Sequence, residues 1–266
     1  DRKDGLTKVL YMFIGNKIYS EEREKEDKVN VRGIVYETND PEFNEIEYDF
    51  RGTVKYSTMI SKICGYGPRT HFIANTLRDL LEEDNKKQIM VLCHNRSFLT
   101  DLHQIIVDKE LCSVGFYVGG MKQSALQETE SKQIVLATYA MAAEALDIKT
   151  LSTLVMASPK TDITQSVGRI LRMKHDNPII VDIIDKHEPF QKQWQQRRRY
   201  YKKCNYLIKH ICSSSYKNML DYSDETSDWD VLFDPSKTGK SKGNGGKSSS
   251  DNTKEEYKCL ITGFFD

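Results

Sequence analysis

The sequence has no net charge: among its 266 residues, 39 Lys and Arg balance 39 Asp and Glu. A long-range field that gathers a polyanion is thereby excluded, and any nucleic-acid binding must come from local basic patches. No apolar run approaches the about 18 residues that read as a membrane span, and the N-terminus shows no signal-peptide pattern. Six cysteines (Cys64, Cys93, Cys112, Cys204, Cys212 and Cys259) contain no CxxC pair. That spacing argues against a zinc site, so no metal ligands are assigned, and it suits unpaired thiols in a reducing compartment. A phosphate loop is also missing. Gly239-Lys240-Ser241 and Gly246-Lys247-Ser248 imitate its end, but Asp234 and Ser241 stand where the first glycine belongs. Neither triplet follows a buried strand or opens a helix, so neither can converge backbone N–H groups on a phosphate.

What is present falls into segments. Leu6, Val9, Leu10, Phe13 and Ile14 repeat at helical spacing, with Asp4 as a cap and Gly15 as a stop. The opening at Asp1, without an initiator Met, reads as a piece of a longer chain, with residues 1–15 as a linker helix. Two strand-like runs, 29–36 and 47–56, flank the turn signal Asn39-Asp40-Pro41 and predict a small antiparallel β insertion over residues 16–60. From residue 61 to 212 short apolar strands alternate with amphipathic helices. QIMVLC at 88–93, 114–118, QIVLAT at 133–138, 153–157 and PIIVDII at 178–184 are the strands. This alternation predicts an α/β fold with a parallel sheet covered by helices on both faces. A longer helix is expected from Glu188 to about Ile211, with Phe190, Trp194, Tyr201 and Ile208 inward. Its outward face carries Arg197, Arg198, Arg199, Lys202 and Lys203, either a solvated face or a nucleic-acid patch. Residues 213–266 form a tail, and its Ser/Gly/Lys-rich part, about 235–256, is too poor in apolar groups to order.

Chemistry concentrates between Gln133 and Arg172. Gln165, Gly168, Arg169 and Arg172 follow i, i+3, i+4, i+7 spacing, which places them on one side of a helix. Two guanidiniums there offer planar, permanently charged donors suited to phosphate, and Gly168 permits close approach. The competing reading is a helix with two solvated or ion-paired arginines. The Ala137-Thr138 strand end and the Glu144-Ala145-Leu146-Asp147 turn upstream favour the chemical reading.

With those pieces in this order, the segment resembles superfamily 2 helicases. Ala137-Thr138 and Glu144-Ala145-Leu146-Asp147 resemble motif V, and Gln165-x-x-Gly168-Arg169-x-x-Arg172 matches the QxxGRxxR form of motif VI. Residues 91–95 sit where motif IV would be, and Tyr117-Val118-Gly119-Gly120 resembles the turn after the next strand. Arg2-x-Asp4-Gly5-Leu6 resembles the linker behind motif III. The likeness, covering about residues 1–210, is greatest to helicases of large DNA viruses, including the poxvirus transcript-release type. It implies a RecA-like second domain, with an N-terminal RecA-like domain as partner. That domain would bind ATP and Mg²⁺, since this sequence holds no phosphate loop and no DExx or DExH carboxylate pair in a strand context.

By the same resemblance, Arg169 and Arg172 would reach the γ-phosphate as arginine fingers, and Gln165 would help sense it. Asp147 would contact the ribose or couple to motif VI, with Gly168 beside it. Thr138, His94, Asn95, Gly119 and Gly120 would contact the backbone of DNA or RNA, setting register and not sequence. The family often has Gly where Ala145 stands, and the added methyl disfavours a positive φ there. A His at a strand end, as His94 is, is more often a hydrogen-bonded surface residue than a ligand. The implied activity is an ATP-dependent helicase to which this piece, inactive alone, contributes half a site. No membrane is expected, transcription or replication machinery is a partner to expect, and a viral source would place it in host cytoplasm or virion. Two alternatives stay open: a RecA-like binding module without turnover, and an unrelated flavodoxin-like or phosphatase-like domain.

Overall fold

The computed structural model describes residues 7–15, 28–144, 148–170, 175, 177–219 and 228–237. In chain order the helices are α1 (Thr7–Ile14), α2 (Pro41–Asn44), α3 (Tyr56–Gly65), α4 (Gly67–Glu83), α5 (Arg96–Asp108), α6 (Gln123–Glu130), α7 (Tyr139–Glu144), α8 (Thr164–Ile170) and α9 (Glu188–Lys203). The strands are β1 (Asn30–Tyr36), β2 (Gln88–Cys93), β3 (Val114–Tyr117), β4 (Ile134–Thr138), β5 (Leu151–Met156), β6 (Ile179–Asp185), β7 (Leu207–Cys212) and β8 (Asp230–Phe233). They form one sheet ordered β3-β4-β2-β5-β6-β1-β7-β8, in which only the β7–β8 pair is antiparallel.

The sheet is parallel because its strands are apolar on both faces, a pattern stable only between two helical layers. In β2, Ile89, Val91 and Cys93 enter one core and Met90 and Leu92 the other. Helices α3, α4 and α5 cover the first face through residues such as Ile63, Leu77 and Leu102. On the second, α7, α8 and α9 bring Ala142, Val167 and Trp194. Two ion pairs are sealed in these layers. Arg69 of α4 meets Asp185 at 2.6 and 2.9 Å, and Arg197 of α9 meets Asp182 at 2.7 and 2.9 Å.

Four expectations change. The run 29–36 does not pair with 47–56; it becomes β1, inserted between β6 and β7 and parallel to both. Val31 and Val35 face one core and Ile34 and Tyr36 the other, so an insertion with a wet face would leave half of them exposed. Gly33 fits this central place, since a Cβ there would lie 3.1 Å from Ile184 Cδ1 and 3.4 Å from the Trp194 ring. The antiparallel insertion shrinks to a Tyr48–Val54 bridge closing a turn, with α3 starting directly behind it. The long helix stops at Lys203, where Asn205 takes a left-handed φ of 64°, and Ile208 lies in β7 beside Val31. Arg197 is buried, not on a polar face. Lastly, the tail contributes β8, and residues 235–237 form an Asp234-capped turn; residues 238–266 lie outside the described ones. The helix expected at the start of the chain forms as α1 and ends at Gly15 with φ +91°, while Asp4 is outside the described residues.

Candidate nucleic-acid interface

Parallel pairing brings the predicted residues to one edge. Tyr117 pairs with Ala137, Cys93 with Thr138 and Leu92 with Met156, so β3, β4, β2 and β5 end side by side. Outside those ends lie Gly119-Gly120, Thr138, His94-Asn95 and the loop Ala157–Lys160. In open α/β sheets, ligands bind in the crevice beyond the carboxyl ends of the strands.

His94 is fixed by the β5 loop. Its backbone N–H donates to Ser158 Oγ at 3.0 Å, and its Nδ1 lies 2.9 Å from the same oxygen. The buried Tyr139 donates its hydroxyl to the Ser158 carbonyl at 2.6 Å, and its ring centroid lies 4.7 Å from that of His94. Lys160 places its ammonium 4.6 Å from the centroid of the Tyr139 ring. Desolvation and the Lys160 charge depress the His94 pKa to about 4. The imidazole is therefore neutral at pH 7, a hydrogen-bonding group and not a cation. The loop is held from beneath by Arg197, which donates through Nη1 to the Lys160 carbonyl at 2.8 Å.

Asn95 acts first as a helix cap. Its side-chain oxygen accepts from Ser97 N at 2.8 Å and so starts α5. Cys93 just before it is buried, its sulfur 3.6 Å from that of Cys64 and receiving the Asn95 N–H at 3.4 Å. Burial raises the Cys93 pKa, but the hydrogen bonds it receives outweigh that and hold it below the usual thiol range. The starts of α3 and α5 border a depression of about 500 Å³ lined by Tyr56, Ser57, Ile60, Ser61, His94, Asn95 and Arg96. The hydroxyls of Ser57 and Ser61 and the exposed Arg96 guanidinium give that depression donors that fit a phosphate.

At the neighbouring turn, Gly120 adopts φ +83°, the left-handed conformation that glycine takes without strain. Helix α8 begins on the same edge after the β5 loop and buries Ser166 and Val167. Gln165, Gly168 and Arg169 belong to α8, but the side chains of Gln165 and Arg169 lie outside the described residues, as do Asp147 and Arg172 entirely. A Cβ on Gly168 would meet nothing within 4 Å. The fold thus gathers Thr138, His94, Asn95, Gly119 and Gly120 on one edge with the start of α8. Ser158, Tyr139, Lys160 and Arg96 join them without having been expected. Pro159, a turn signal beyond β5, pointed to the loop, but nothing local announced that Ser158 would reach across to His94.

The family model of the helicase conserved C-terminal domain matches residues 73–174, the span from α4 through α8. Residues 73–174 of this chain correspond to that helicase C-terminal domain. It is 34% identical over 228 residues to a protein of Acanthamoeba polyphaga mimivirus provisionally named an ATP-dependent RNA helicase, covering 83% of this chain and 44% of that protein. A similarly named African swine fever virus protein is 28% identical over 261 residues, covering 86% of this chain and 48% of the relative. The chain therefore spans about half the length of these relatives. Among solved structures, T4 UvsW superposes with a TM-score of 0.54 at 20% identity, over 71% of this chain and 42% of that one. S. cerevisiae Dbp5 bound to RNA and ADP BeF3 gives 0.51 at 11% identity, over 81% and 50%. Both share the RecA-like fold. Among the described residues no helix of the helicase domain is long and apolar enough to cross a membrane.

Proposed function

We propose that this chain is the second motor domain of an ATP-dependent superfamily 2 helicase of viral type, acting on single-stranded nucleic acid, RNA in the first instance. The observation that carries the reading is the shared edge. The strand ends bearing Thr138, His94 and Gly119-Gly120 and the start of α8, with its QxxGRxxR sequence, emerge together beyond the sheet. The names of the mimiviral and African swine fever virus relatives support RNA and ATP.

In this reading the strand's phosphates lie over the carboxyl ends of β2, β3 and β4. Thr138 and the neutral His94 give hydrogen bonds, Arg96 gives charge, and the Gly119-Gly120 turn lets the backbone come close. Arg169 and Arg172 serve as arginine fingers and Gln165 as a sensor toward ATP held by an N-terminal RecA-like domain, with Asp147 and Gly168 coupling the two. Among the described residues no group of three or more His, Cys, Asp or Glu side chains is arranged to hold a metal ion. ATP and its Mg²⁺ are left to a preceding domain because the sequence carries no phosphate loop and no DExx or DExH pair in a strand context; there they would supply the phosphoryl transfer that drives movement. Host cytoplasm or virion is the setting that viral kinship suggests.

The test compares nucleic-acid-stimulated ATP hydrolysis by this chain and by the full-length product. The chain alone is expected to be inert. In the full-length protein Arg172→Ala should lower kcat by about 10³-fold or more and leave RNA affinity within about twofold. Near-normal turnover by that variant refutes the finger assignment, and an inert full-length protein favours a binding module.

A further inference from the structure

The turn just ahead of α3 has a construction that the phosphate-contacting edge does not require. It projects Phe50, whose side chain is 90% exposed, with Tyr48 beside it at 51%. Single exposed apolar residues are ordinary on protein surfaces. This one stands on a locked backbone. Tyr48 and Val54 bridge, Asp49 N–H donates to the Thr53 carbonyl at 2.8 Å, and Lys55 N–H donates to that of Glu47 at 2.9 Å. Asp49 Oδ1 accepts from both Arg51 N at 2.9 Å and Thr53 N at 2.8 Å. Gly52 takes the left-handed φ of +75° that closes the turn, and its N–H donates to the Asp49 carbonyl. Below, Lys62 of α3 ties the stem by donating to the carbonyls of Glu42 and Glu45, at 3.0 Å each. The Arg51 guanidinium carbon sits 5.0 Å from the Phe50 ring centroid.

Position gives this turn its meaning. It runs directly into Tyr56 and Ser57, which line the depression shared with His94, Asn95 and Arg96. The tip is two or three residues beyond Val54, on the order of 10 Å at ~3.4 Å per residue. We propose that the Tyr48–Val54 turn is a base-stacking element: Phe50, backed by Arg51, receives the face of an unpaired nucleobase whose strand runs through that depression. The site rests on the nucleic-acid reading above and adds to it a contact to bases, where that reading has contacts to phosphates. Stacking is sequence-tolerant, because every base has a π-face, and a neighbouring guanidinium adds attraction to both base and phosphate. A pre-ordered turn loses little entropy on binding, so the aromatic area is available for affinity.

The experiment measures binding of the 266-residue chain to two labelled probes by fluorescence anisotropy. One is a single-stranded oligouridylate and the other an abasic ribose-phosphate oligomer of the same length. Phe50→Ala should weaken the base-bearing probe by about tenfold and leave the abasic probe unchanged, with an unaltered melting profile. Phe50→Trp should keep affinity, and its fluorescence should fall on adding the base-bearing probe alone. Arg96→Ala should weaken both probes. If Phe50→Ala binds the base-bearing probe like the parent while Arg96→Ala weakens both, the stacking site is overturned, the phosphate track stands, and Phe50 belongs to a protein contact. An equal loss on both probes also overturns it. If the parent chain binds neither probe, the nucleic-acid reading itself fails.

Discussion

Arg197 links the core to the candidate interface, and replacing it with methionine separates two effects. The guanidinium is buried and makes three hydrogen bonds, two to Asp182 at 2.7 and 2.9 Å and one to the Lys160 carbonyl at 2.8 Å. Arg197→Met leaves Asp182, among the described side chains, the Tyr201 hydroxyl at 3.1 Å. Removing one partner of a buried pair costs about 3–5 kcal/mol, from a total expected to be about 5–15 kcal/mol. For a chain of this size the loss lowers Tm by roughly 6–20 °C. Burial already pushes the Asp182 carboxyl above the usual carboxylate range despite the guanidinium beside it, so desolvation is the dominant cost of the pair. Adding Asp182→Leu to Arg197→Met should therefore recover most of the stability. It cannot restore the bond to Lys160, so the Ser158–Lys160 loop stays loose and RNA affinity stays reduced. Urea titration at constant m, paired with anisotropy on the same variants, reads both quantities. A loss under about 1 kcal/mol for the single variant, or no recovery in the double, refutes the reasoning.

Gly168→Ala should stabilise the isolated chain by about 0.5–1 kcal/mol, since the helix gains propensity and nothing described crowds the new methyl. In the full-length protein the same change should lower RNA-stimulated ATP hydrolysis if, as proposed, the open space above Gly168 receives the preceding domain; unchanged turnover removes Gly168 from the site. Thr138→Ala should weaken single-stranded RNA about two- to tenfold whatever the sequence, as loss of one backbone hydrogen bond would. A sequence-dependent loss means that Thr138 reads bases. His94, with its pKa near 4 in the fold and about 6.5 when unfolded, favours the folded state fully above that unfolded value. The unfolded chain takes up the proton first as pH falls, so this stabilisation is lost between roughly pH 6.5 and 4. His94→Ala should flatten that slope, and NMR titration of the ring should show no protonation near pH 6.5; a midpoint there contradicts the desolvation of the ring.

Much of the architecture is written in local pattern. Strand 88–93, with six buried residues, has no polar alternation and so can lie only between two covered faces. The Ala137-Thr138 strand end and the QxxGRxxR spacing likewise announce a helicase domain before any coordinate is known. The candidate site was legible where it lies at strand ends, because parallel strands align their carboxyl termini by construction. Its supports were not. Nothing near residue 94 predicts Ser158, 64 positions away, and Arg197 stands in a run of three arginines that sequence alone cannot tell apart.

By itself, then, the sequence determined the five apolar strands between residues 88 and 185, the helices packed around Leu77, Leu102 and Val167, and which residues could carry phosphate chemistry, since hydrophobic period and motif spacing are properties of neighbours along the chain; the helices at 56–65, 123–130 and 139–144 were not announced. Tertiary structure alone decided that residues 30–36 enter the middle of the sheet, that Asn205 turns a helix into β7, that Arg197 is sealed against Asp182, and that His94 is held by Ser158. Each of those depends on a partner distant in sequence, and pairing, burial and local dielectric exist only once the chain has closed on itself.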